Sequence, residues 1–303
     1  MSEDGFALCE RIASVGRNNL WQAARRLSDP ERYRFFLATY ASMRWIDDQV
    51  DDGFLALPPP QRRQQRRAFL ERIDAWEAWV NAAAGGDFRP HPEIPAAAVY
   101  VALQEVLRPA DLGTWPWRLL ADSLRQDVAE EPVLTWDAFF AYCEGATVAP
   151  AAVFLFLLGW TKEKDGRLSF GSQETLREAA RKMGRFCYLV HILRDLRLDA
   201  ARADQLLSVP RELLQAHGLT VEAFKDAVLG GDERTLEPVL GAFFEVAQAH
   251  RDAALADAAA LAPRFSGESR EILSGLLSVY DGMLRGLRDR TVSARTPRHA
   301  PRG

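Results

Sequence analysis

Two segments of this chain carry aspartates spaced four residues apart, each preceded by an arginine. We name them the first acidic motif (residues 44–52, Arg-Trp-Ile-Asp-Asp-Gln-Val-Asp-Asp) and the second acidic motif (residues 191–199, His-Ile-Leu-Arg-Asp-Leu-Arg-Leu-Asp). The spaced pairs are Asp47 with Asp51 and Asp195 with Asp199. Because residues four apart share one face of an α-helix, each pair is predicted to form one carboxylate patch. Like charges at this spacing destabilise a helix unless a cation lies between them.

A hard cation shared with phosphate groups is the chemistry that fits such patches. Mg²⁺ prefers oxygen ligands, keeps several waters and is commonly shared with substrate phosphates. Apolar residues flank both motifs, and carboxylates on an apolar helix are costly to bury unless they are paired or bound to metal. Spacing alone leaves a second interpretation open, in which the aspartates form structural ion pairs with Arg44 and Arg194. A di-iron carboxylate bundle needs Glu-x-x-His motifs, which the sequence lacks.

Further polar side chains fall on the same predicted helical faces as the spaced aspartates. They are Tyr40, Arg44 and Asp48 at the first motif, and Tyr188 and His191 at the second. Each face is a polar stripe on a helix whose other residues are mostly apolar. These residues are therefore predicted to border the same site as the aspartates.

Composition restricts the classes of function. The apolar fraction of 48% and the charged fraction of 26% are those of a globular protein, and the net charge of -4 argues against nucleic acid as a partner. Three scattered cysteines favour reduced thiols and a cytoplasmic location. The N-terminus has no signal-peptide layout, and the longest apolar run, residues 148–160, is too short to span a bilayer.

Helical periodicity covers nearly the whole chain, and no convincing strand pattern is present. The residues Ser28-Asp29-Pro30-Glu31 are typical of a helix start, and that helix is predicted to run through the first acidic motif. Further helices are predicted at about 61–80, 117–129, 135–147, 149–160, 172–203, 220–229, 233–262 and 267–290. Residues 53–60, 81–95 and 108–116 are predicted to be breaks or loops, and residues 204–210 a linker.

These elements predict one all-α domain over residues 1–292, followed by a disordered basic tail over residues 293–303. Four arginines in the helix at 61–80 are expected to form a solvated charged face, because charge runs usually do. They are Arg62, Arg63, Arg66 and Arg67.

The paired acidic motifs resemble the signature of the squalene/phytoene synthase family, which consists of head-to-head prenyl transferases. The likeness runs from about residue 18 to residue 290 and includes two weaker segments. Residues 119–127 resemble the mid-chain acidic helix of the family, and Tyr142-Cys143 with Gly145 resembles its Tyr-Cys segment. The resemblance implies the isoprenoid synthase fold, a single-domain helical bundle around a central apolar cavity.

The resemblance also implies roles for the residues that match. Several Mg²⁺ ions bridging two prenyl diphosphates would be held by Asp47, Asp51, Asp195 and Asp199. Phosphate oxygens would be bound by Arg44 and Arg194 as catalytic residues, with Asn19 and His191 also near the diphosphate. Tyr142 would lie beside the reacting carbons. Residues expected to support these groups are Tyr40, Asp48, Asp122, Asp127 and Tyr188.

The implied reaction is a Mg²⁺-dependent condensation of two farnesyl or geranylgeranyl diphosphates, with release of pyrophosphate. The product would be of the squalene, dehydrosqualene or phytoene type. NADPH is compatible with this family, but no motif in the sequence indicates it. The expected partners are prenyl diphosphates and not nucleic acid, and the expected location is cytoplasmic with transient contact to a membrane surface. Prenyl chain length, a reductive step and oligomeric state are left open.

Several positions depart from the family pattern. His191 and Tyr188 stand where the family usually has Asn and Gln, and Asn19-Leu20 replaces a Ser-Phe pair. Residues 146–150 lack the usual glycines, and residues 203–210 lack a tyrosine. The altered segments at 142–150 and 203–210 motivate an alternative within the same fold, in which a single prenyl diphosphate is ionised for cyclisation, hydrolysis or transfer to another acceptor.

Overall fold

The computed structural model describes residues 4–16, 19–202 and 209–293, and most of these residues are helical. The α-helices are α1 (Gly5–Ala13), α2 (Asn19–Ala24), α3 (Pro30–Asp48), α4 (Pro59–Gly85), α5 (Ala97–Leu107), α6 (Trp115–Ala129), α7 (Trp136–Cys143), α8 (Ala149–Gly159), α9 (Gln173–Arg202), α10 (Arg211–Ala216), α11 (Val221–Gly230), α12 (Glu233–Leu261) and α13 (Gly267–Ser293). The prediction of an all-α fold is confirmed. Residue 203 of the predicted helix at 172–203, residues 204–208 of the predicted linker and residues 294–303 of the predicted tail lie outside the described residues.

Helix α8 forms the centre of the bundle. Its residues are apolar all round and nearly all buried, with α3, α6, α9 and α13 packed about it. A helix with no polar face has to be enclosed by others, because each exposed apolar side would face water. The apolar pattern of α8 therefore requires other helices to pack on all its sides.

The predicted start of α3 is confirmed, whereas several other boundaries were wrong. Asp29 caps α3 by accepting a hydrogen bond from the Glu31 amide (2.9 Å), with Pro30 in the first turn. Residues 81–85, predicted as loop, continue α4, because alanines favour a helix and Ala83 is buried. The continuation ends at Gly86, whose positive φ of 81° suits a helix C-terminus.

Helices α1, α2, α5 and α10 and a small hairpin were absent from the helices and strands predicted from the sequence. Helix α10 has only six residues, too few to show a helical period. A small hairpin of β1 (Thr161–Lys162) and β2 (Leu168–Ser169) pairs Thr161 with Ser169. Strands of two residues carry no recognisable alternation, so their sequence gave no signal.

The arginine run on α4 divides into two groups. Arg63 and Arg67 are exposed, as expected for a solvated face. Arg62 is only 9% exposed, so the prediction is wrong for this residue. Its guanidinium is hydrogen-bonded to a carboxylate and to backbone carbonyls, which satisfy the buried charge.

Two π-helical segments interrupt the helical path. The first π-helical segment (Gln49–Leu55) follows α3 directly, and the second π-helical segment (Glu144–Val148) joins α7 to α8. π-helical turns are rare and occur frequently at functional sites, because the wider turn changes which side chains share a face. Both segments carry residues that line the same cavity, described below.

Residues Trp136–Gly159 form one continuous helix through the second π-helical segment. This is the one stretch among the described residues that is long and apolar enough to cross a membrane by length and composition. Of its most apolar window, 61% is buried inside the protein, which is the behaviour of a core helix. The predicted contact with a membrane surface stays a prediction.

Glycines allow the second π-helical segment to pack closely against its neighbours. A Cβ at Gly145 would collide with the carbonyl oxygen of Leu119 and lie 2.6 Å from the Ser123 hydroxyl. A Cβ at Gly184 would lie 3.0 Å from the Thr147 carbonyl oxygen. Glycine at these two positions therefore sets how closely α6 and α9 approach the segment.

We expect Gly145→Ala to destabilise the protein by roughly 1–3 kcal/mol, because the rigid backbone of α6 has to shift to admit the methyl group. Gly282→Ala is the matched control, since nothing lies within 4 Å of the added atom in an exposed part of α13. The control should leave stability unchanged or raise it by up to about 1 kcal/mol. Urea unfolding followed by circular dichroism measures both, and equal effects would contradict the close packing.

Candidate active site

A cavity of about 390 Å³ lies between α3, α6, α8, α9, α13 and the second π-helical segment. Its apolar lining includes Leu20, Met43, Leu120, Leu124, Phe154, Met183 and Leu276. Its polar lining includes Tyr40, Arg44, Asp47, Asp51, Asp127, Tyr142, Tyr188, His191 and Tyr280. The cavity thus combines an apolar interior with a group of carboxylates, hydroxyls and one guanidinium.

The first acidic motif spans the change from α3 to the first π-helical segment. Asp47 lies in the last turn of α3 and Asp51 lies in the π-helical segment, and both line the cavity. The sequence prediction that they share a face therefore agrees with their positions, although the intervening backbone is not a regular α-helix. Their role as metal ligands stays a prediction.

Burial and mutual repulsion act on both carboxyl groups of this pair. The pKa of Asp47 is raised, first by burial and then by the charge of Asp51, and Arg44 opposes the shift. Asp51 reaches solvent at the cavity mouth, yet loss of hydration and the charges of Asp52 and Asp48 also raise its pKa. A bound cation would relieve this repulsion.

Arg44 places its guanidinium at the cavity wall. Its Nε atom lies 2.5 Å from Oδ1 of Asp48, four residues along the chain. The side chain of Arg44 also hydrogen-bonds Tyr40. An anion in the cavity would compete with Asp48 for this guanidinium, because phosphate and carboxylate oxygens bind it in the same way.

The second acidic motif lies in α9 at the rim of the site. Arg194 donates two hydrogen bonds to the adjacent Asp195, from Nε to Oδ1 (2.8 Å) and from Nη2 to Oδ2. Asp199 is close enough to Asp51 that its charge raises the pKa of Asp51. The structure therefore brings the two motifs toward one another across the cavity mouth.

The four aspartates do not form a closed ligand set. Within residues 4–16, 19–202 and 209–293, no group of three or more His, Cys, Asp or Glu side chains is arranged to hold a metal ion. Asp195 is held by Arg194, and neither of them lines the cavity. The predicted four-carboxylate assignment is neither confirmed nor contradicted by this arrangement.

A chain of hydroxyl and carboxyl groups crosses the interior side of the site. The Tyr142 hydroxyl donates to Asp127 Oδ2 (3.1 Å), and Tyr188 hydrogen-bonds Tyr142. Burial is the largest cause of a raised pKa at all three groups, and the charge of Asp51 also raises the pKa of Asp127. Tyr188, a departure from the family pattern, thus contacts the tyrosine that the resemblance singled out.

His191 is fixed by a residue that the sequence did not indicate. Its Nε2 atom lies 2.8 Å from the hydroxyl of Tyr280, which also hydrogen-bonds Asn19. Burial, followed by the charge of Arg194, lowers the pKa of His191 to about 4, so the imidazole is neutral at pH 7. Tyr280 lies in α13, 89 residues away in the chain, and no local motif marks it.

Two of the five supporting residues, Asp48 and Asp122, do not line the cavity. Asp48 pairs with Arg44. Asp122 is exposed on the outer face of α6, where it pairs with Arg125 (Oδ1–Nη1 3.0 Å). Asp127, five residues later, lies on the inner face. The acidic residues of this helix therefore have different surroundings, as 3.6 residues per turn require.

Comparison with known proteins places these features in a family. Residues 18–301 match the family model described as squalene/phytoene synthase. A chloroplastic phytoene synthase of Daucus carota is 26% identical over 196 residues, which is 65% of this chain and 43% of that protein. The matched region thus spans less than half of the curated relative.

Two solved structures share the fold. Squalene synthase HpnC from Alicyclobacillus acidocaldarius superposes with a TM-score of 0.72 at 18% identity, over 95% of this chain and 94% of the other. A dehydrosqualene synthase in complex with ligand gives a TM-score of 0.70 at 19% identity, over 95% and 87%. These likenesses confirm the predicted fold.

The repulsion at the first motif predicts that Asp47→Asn stabilises the free protein. Because the folded state raises the pKa of Asp47, its ionised form costs stability, and this cost appears as pH rises above the ordinary value of 3.8. We expect a gain of roughly 1 kcal/mol, or about 2 °C in Tm, at pH 7 without ligand or metal.

The gain should fall as pH drops toward 3.8 and vanish below about pH 3, where the carboxyl group is protonated in both states. Asp122→Asn is the control, since this exposed aspartate should change stability by less than about 0.5 kcal/mol. Thermal unfolding at several pH values checks the prediction. A pH-independent loss of stability in Asp47→Asn would contradict the repulsion.

Proposed function

The chain belongs to the squalene/phytoene synthase family, and on that basis we propose that it condenses two prenyl diphosphates head to head with release of pyrophosphate. The observation that supports this most is the cavity itself. Its lining combines Asp47, Asp51 and the guanidinium of Arg44 with apolar side chains such as Phe154 and Leu276. A diphosphate fits the mouth, and an isoprenoid chain fits the interior.

Divalent metal ions fit the mouth of this cavity. The available ligand atoms are carboxylate oxygens, which Mg²⁺ prefers. Burial, followed by the charges of neighbouring carboxylates, raises the pKa values of Asp47 and Asp51. We propose that Asp47 and Asp51 on one side, with Asp195 and Asp199 on the other, would hold Mg²⁺ when substrate is bound. Bound Mg²⁺ supplies charge neutralisation for the pyrophosphate leaving group and fixes its orientation.

Binding of substrate requires the two arginines to exchange partners. In the free protein Arg44 is paired with Asp48, and Arg194 is paired with Asp195. We propose that each guanidinium turns to phosphate oxygens, whose geometry its planar fork matches. In the second motif the exchange also releases Asp195 to act as a ligand. The ion pairs thus keep the charges balanced until substrate arrives.

The apolar interior protects the reacting chain from water. Departure of pyrophosphate leaves an allylic carbocation, which water would quench, so the surrounding walls have to exclude it. Aromatic rings at Tyr40, Tyr142 and Phe154 line the cavity, and their π faces stabilise positive charge. The hydroxyl of Tyr142 is bonded to Asp127, which fixes the ring beside the cavity.

Neutral His191 is suited to a polar contact with the diphosphate. Asn19 hydrogen-bonds the Tyr280 hydroxyl, and that hydroxyl lies 2.8 Å from Nε2 of His191. If the tyrosine donates to Nε2, the imidazole carries its proton on Nδ1 and presents an N–H donor elsewhere. We propose that this donor is directed at substrate oxygens, in the position where the family usually has an amide.

The product identifies the reaction directly. Incubation with farnesyl or geranylgeranyl diphosphate and Mg²⁺, followed by mass spectrometry, should give a hydrocarbon or diphosphate with twice the carbon count. Parallel samples with and without NADPH show whether a reductive step follows the condensation. A product that keeps the carbon count of a single substrate would contradict condensation and support ionisation of one diphosphate.

Loss of a second-motif carboxylate should stop ionisation without unfolding the protein. We expect Asp195→Asn to lower pyrophosphate release by about 100-fold or more, because charge neutralisation at the leaving group is worth several kcal/mol. Asp226→Asn, an acidic residue of α11 outside the cavity, is the control and should keep wild-type turnover. Wild-type turnover in Asp195→Asn would show that the assignment of the second motif is wrong.

A further inference from the structure

A buried arginine of α4 is bonded to the end of the first π-helical segment. Arg62 donates from Nη1 to the carbonyl oxygens of Leu57 (2.7 Å) and Leu55 (3.4 Å). Leu55 is the last residue of the π-helical segment, and Leu57 follows it by two residues. These carbonyls lie where the helical hydrogen-bond ladder ends, so they need donors from elsewhere.

The same arginine is bonded to the end of α6. Its Nε donates to Oε1 of Glu130 (2.8 Å), while Arg66 donates from Nη2 to Oε2 of Glu130 (2.6 Å) and from Nε to the Val128 carbonyl (3.0 Å). Glu130 has a positive φ of 56° and ends α6. We name this group of Arg62, Arg66 and Glu130 the arginine clamp.

The arginine clamp joins the two elements that carry facing carboxyl groups. The first π-helical segment carries Asp51, and α6 carries Asp127 three residues before Glu130. Both aspartates line the cavity, and the charge of Asp51 acts on Asp127. Repulsion between them favours separation of the two elements, whereas the clamp holds their ends together on the outer side.

We propose that the arginine clamp positions Asp51 relative to Asp127 and thereby sets the affinity of the site for divalent metal ions. Arg62 and Glu130 touch neither substrate nor metal in this account and are positioning residues. The inference rests on the proposed function, since that function supplies the reason for a metal at Asp51. Residues that hold metal ligands in place typically contribute 10- to 100-fold to metal affinity or activity.

Arg62→Lys and Glu130→Gln are the test variants. Lysine keeps the charge but carries all its donors on one nitrogen, so it cannot span separate acceptors as the planar guanidinium does, and glutamine keeps the shape of glutamate without its charge. Arg67→Gln is the matched control, because Arg67 lies in the same helix and pairs only with exposed Glu71 in the part of the chain described here (2.8 Å). Thermal unfolding fixes a temperature at which all variants are folded.

Two measurements at that temperature test whether the arginine clamp holds the two elements in place and affects metal binding. Hydrogen exchange without ligand should rise in residues 49–55 and 124–130 of both test variants, and remain as in wild type across α9. Titration with Mn²⁺ in the presence of an unreactive farnesyl thiodiphosphate should give a dissociation constant about ten-fold larger in the test variants than in wild type. The control variant should match wild type in both measurements.

The outcomes distinguish failure of the arginine-clamp inference from failure of the proposed function. Unchanged hydrogen exchange in residues 49–55 and 124–130 of the test variants would overturn the inference. Faster exchange with unchanged Mn²⁺ affinity would overturn it too, because the arginine clamp would then have a structural role only. Weaker Mn²⁺ binding in the test variants supports the inference even if the wild-type protein releases no pyrophosphate, a result that would refute only the proposed function. A wild-type protein that does not bind Mn²⁺ with the thiodiphosphate overturns both.

Discussion

Repulsion among carboxyl groups at the edge of an apolar cavity is the constraint on which the rest of this structure depends. Asp47, Asp51 and Asp127 line one cavity, and each raises or feels the charge of another. The free protein moderates this repulsion with Arg44 and with raised pKa values, but it does not remove it. Such an arrangement lowers the stability of the free protein. This loss is expected at a functional site, where binding of a cation together with an anion would offset the repulsion.

The helical scaffold holds these groups in place against that repulsion. The enclosed helix α8 forms part of the cavity wall. Gly145 and Gly184 allow the second π-helical segment to lie close to α6 and α9. Arg62 joins the first π-helical segment to the end of α6. Rigid surroundings of this kind are needed where ligands for metal and phosphate have to keep their separation.

The sequence was sufficient for the features that depend on local pattern. The four-residue spacing placed Asp47 and Asp51 on one cavity wall, and periodicity located most of the long helices. It was insufficient wherever a contact joins distant residues. The bond between His191 and Tyr280 spans 89 positions, and the buried state of Arg62 depends on Glu130, 68 positions later. The π-helical segments also carry no sequence period that separates them from α-helix.

The most direct test of the central claim is a crystal structure with Mn²⁺ and an unreactive farnesyl thiodiphosphate, using the anomalous signal of manganese. The account predicts metal ions at the cavity mouth, bridging the diphosphate to Asp47 and Asp51 on one side and to Asp195 and Asp199 on the other. It also predicts that Arg44 and Arg194 have left Asp48 and Asp195 for phosphate oxygens. Manganese bound elsewhere, or a diphosphate held without contact to either acidic motif, would contradict it.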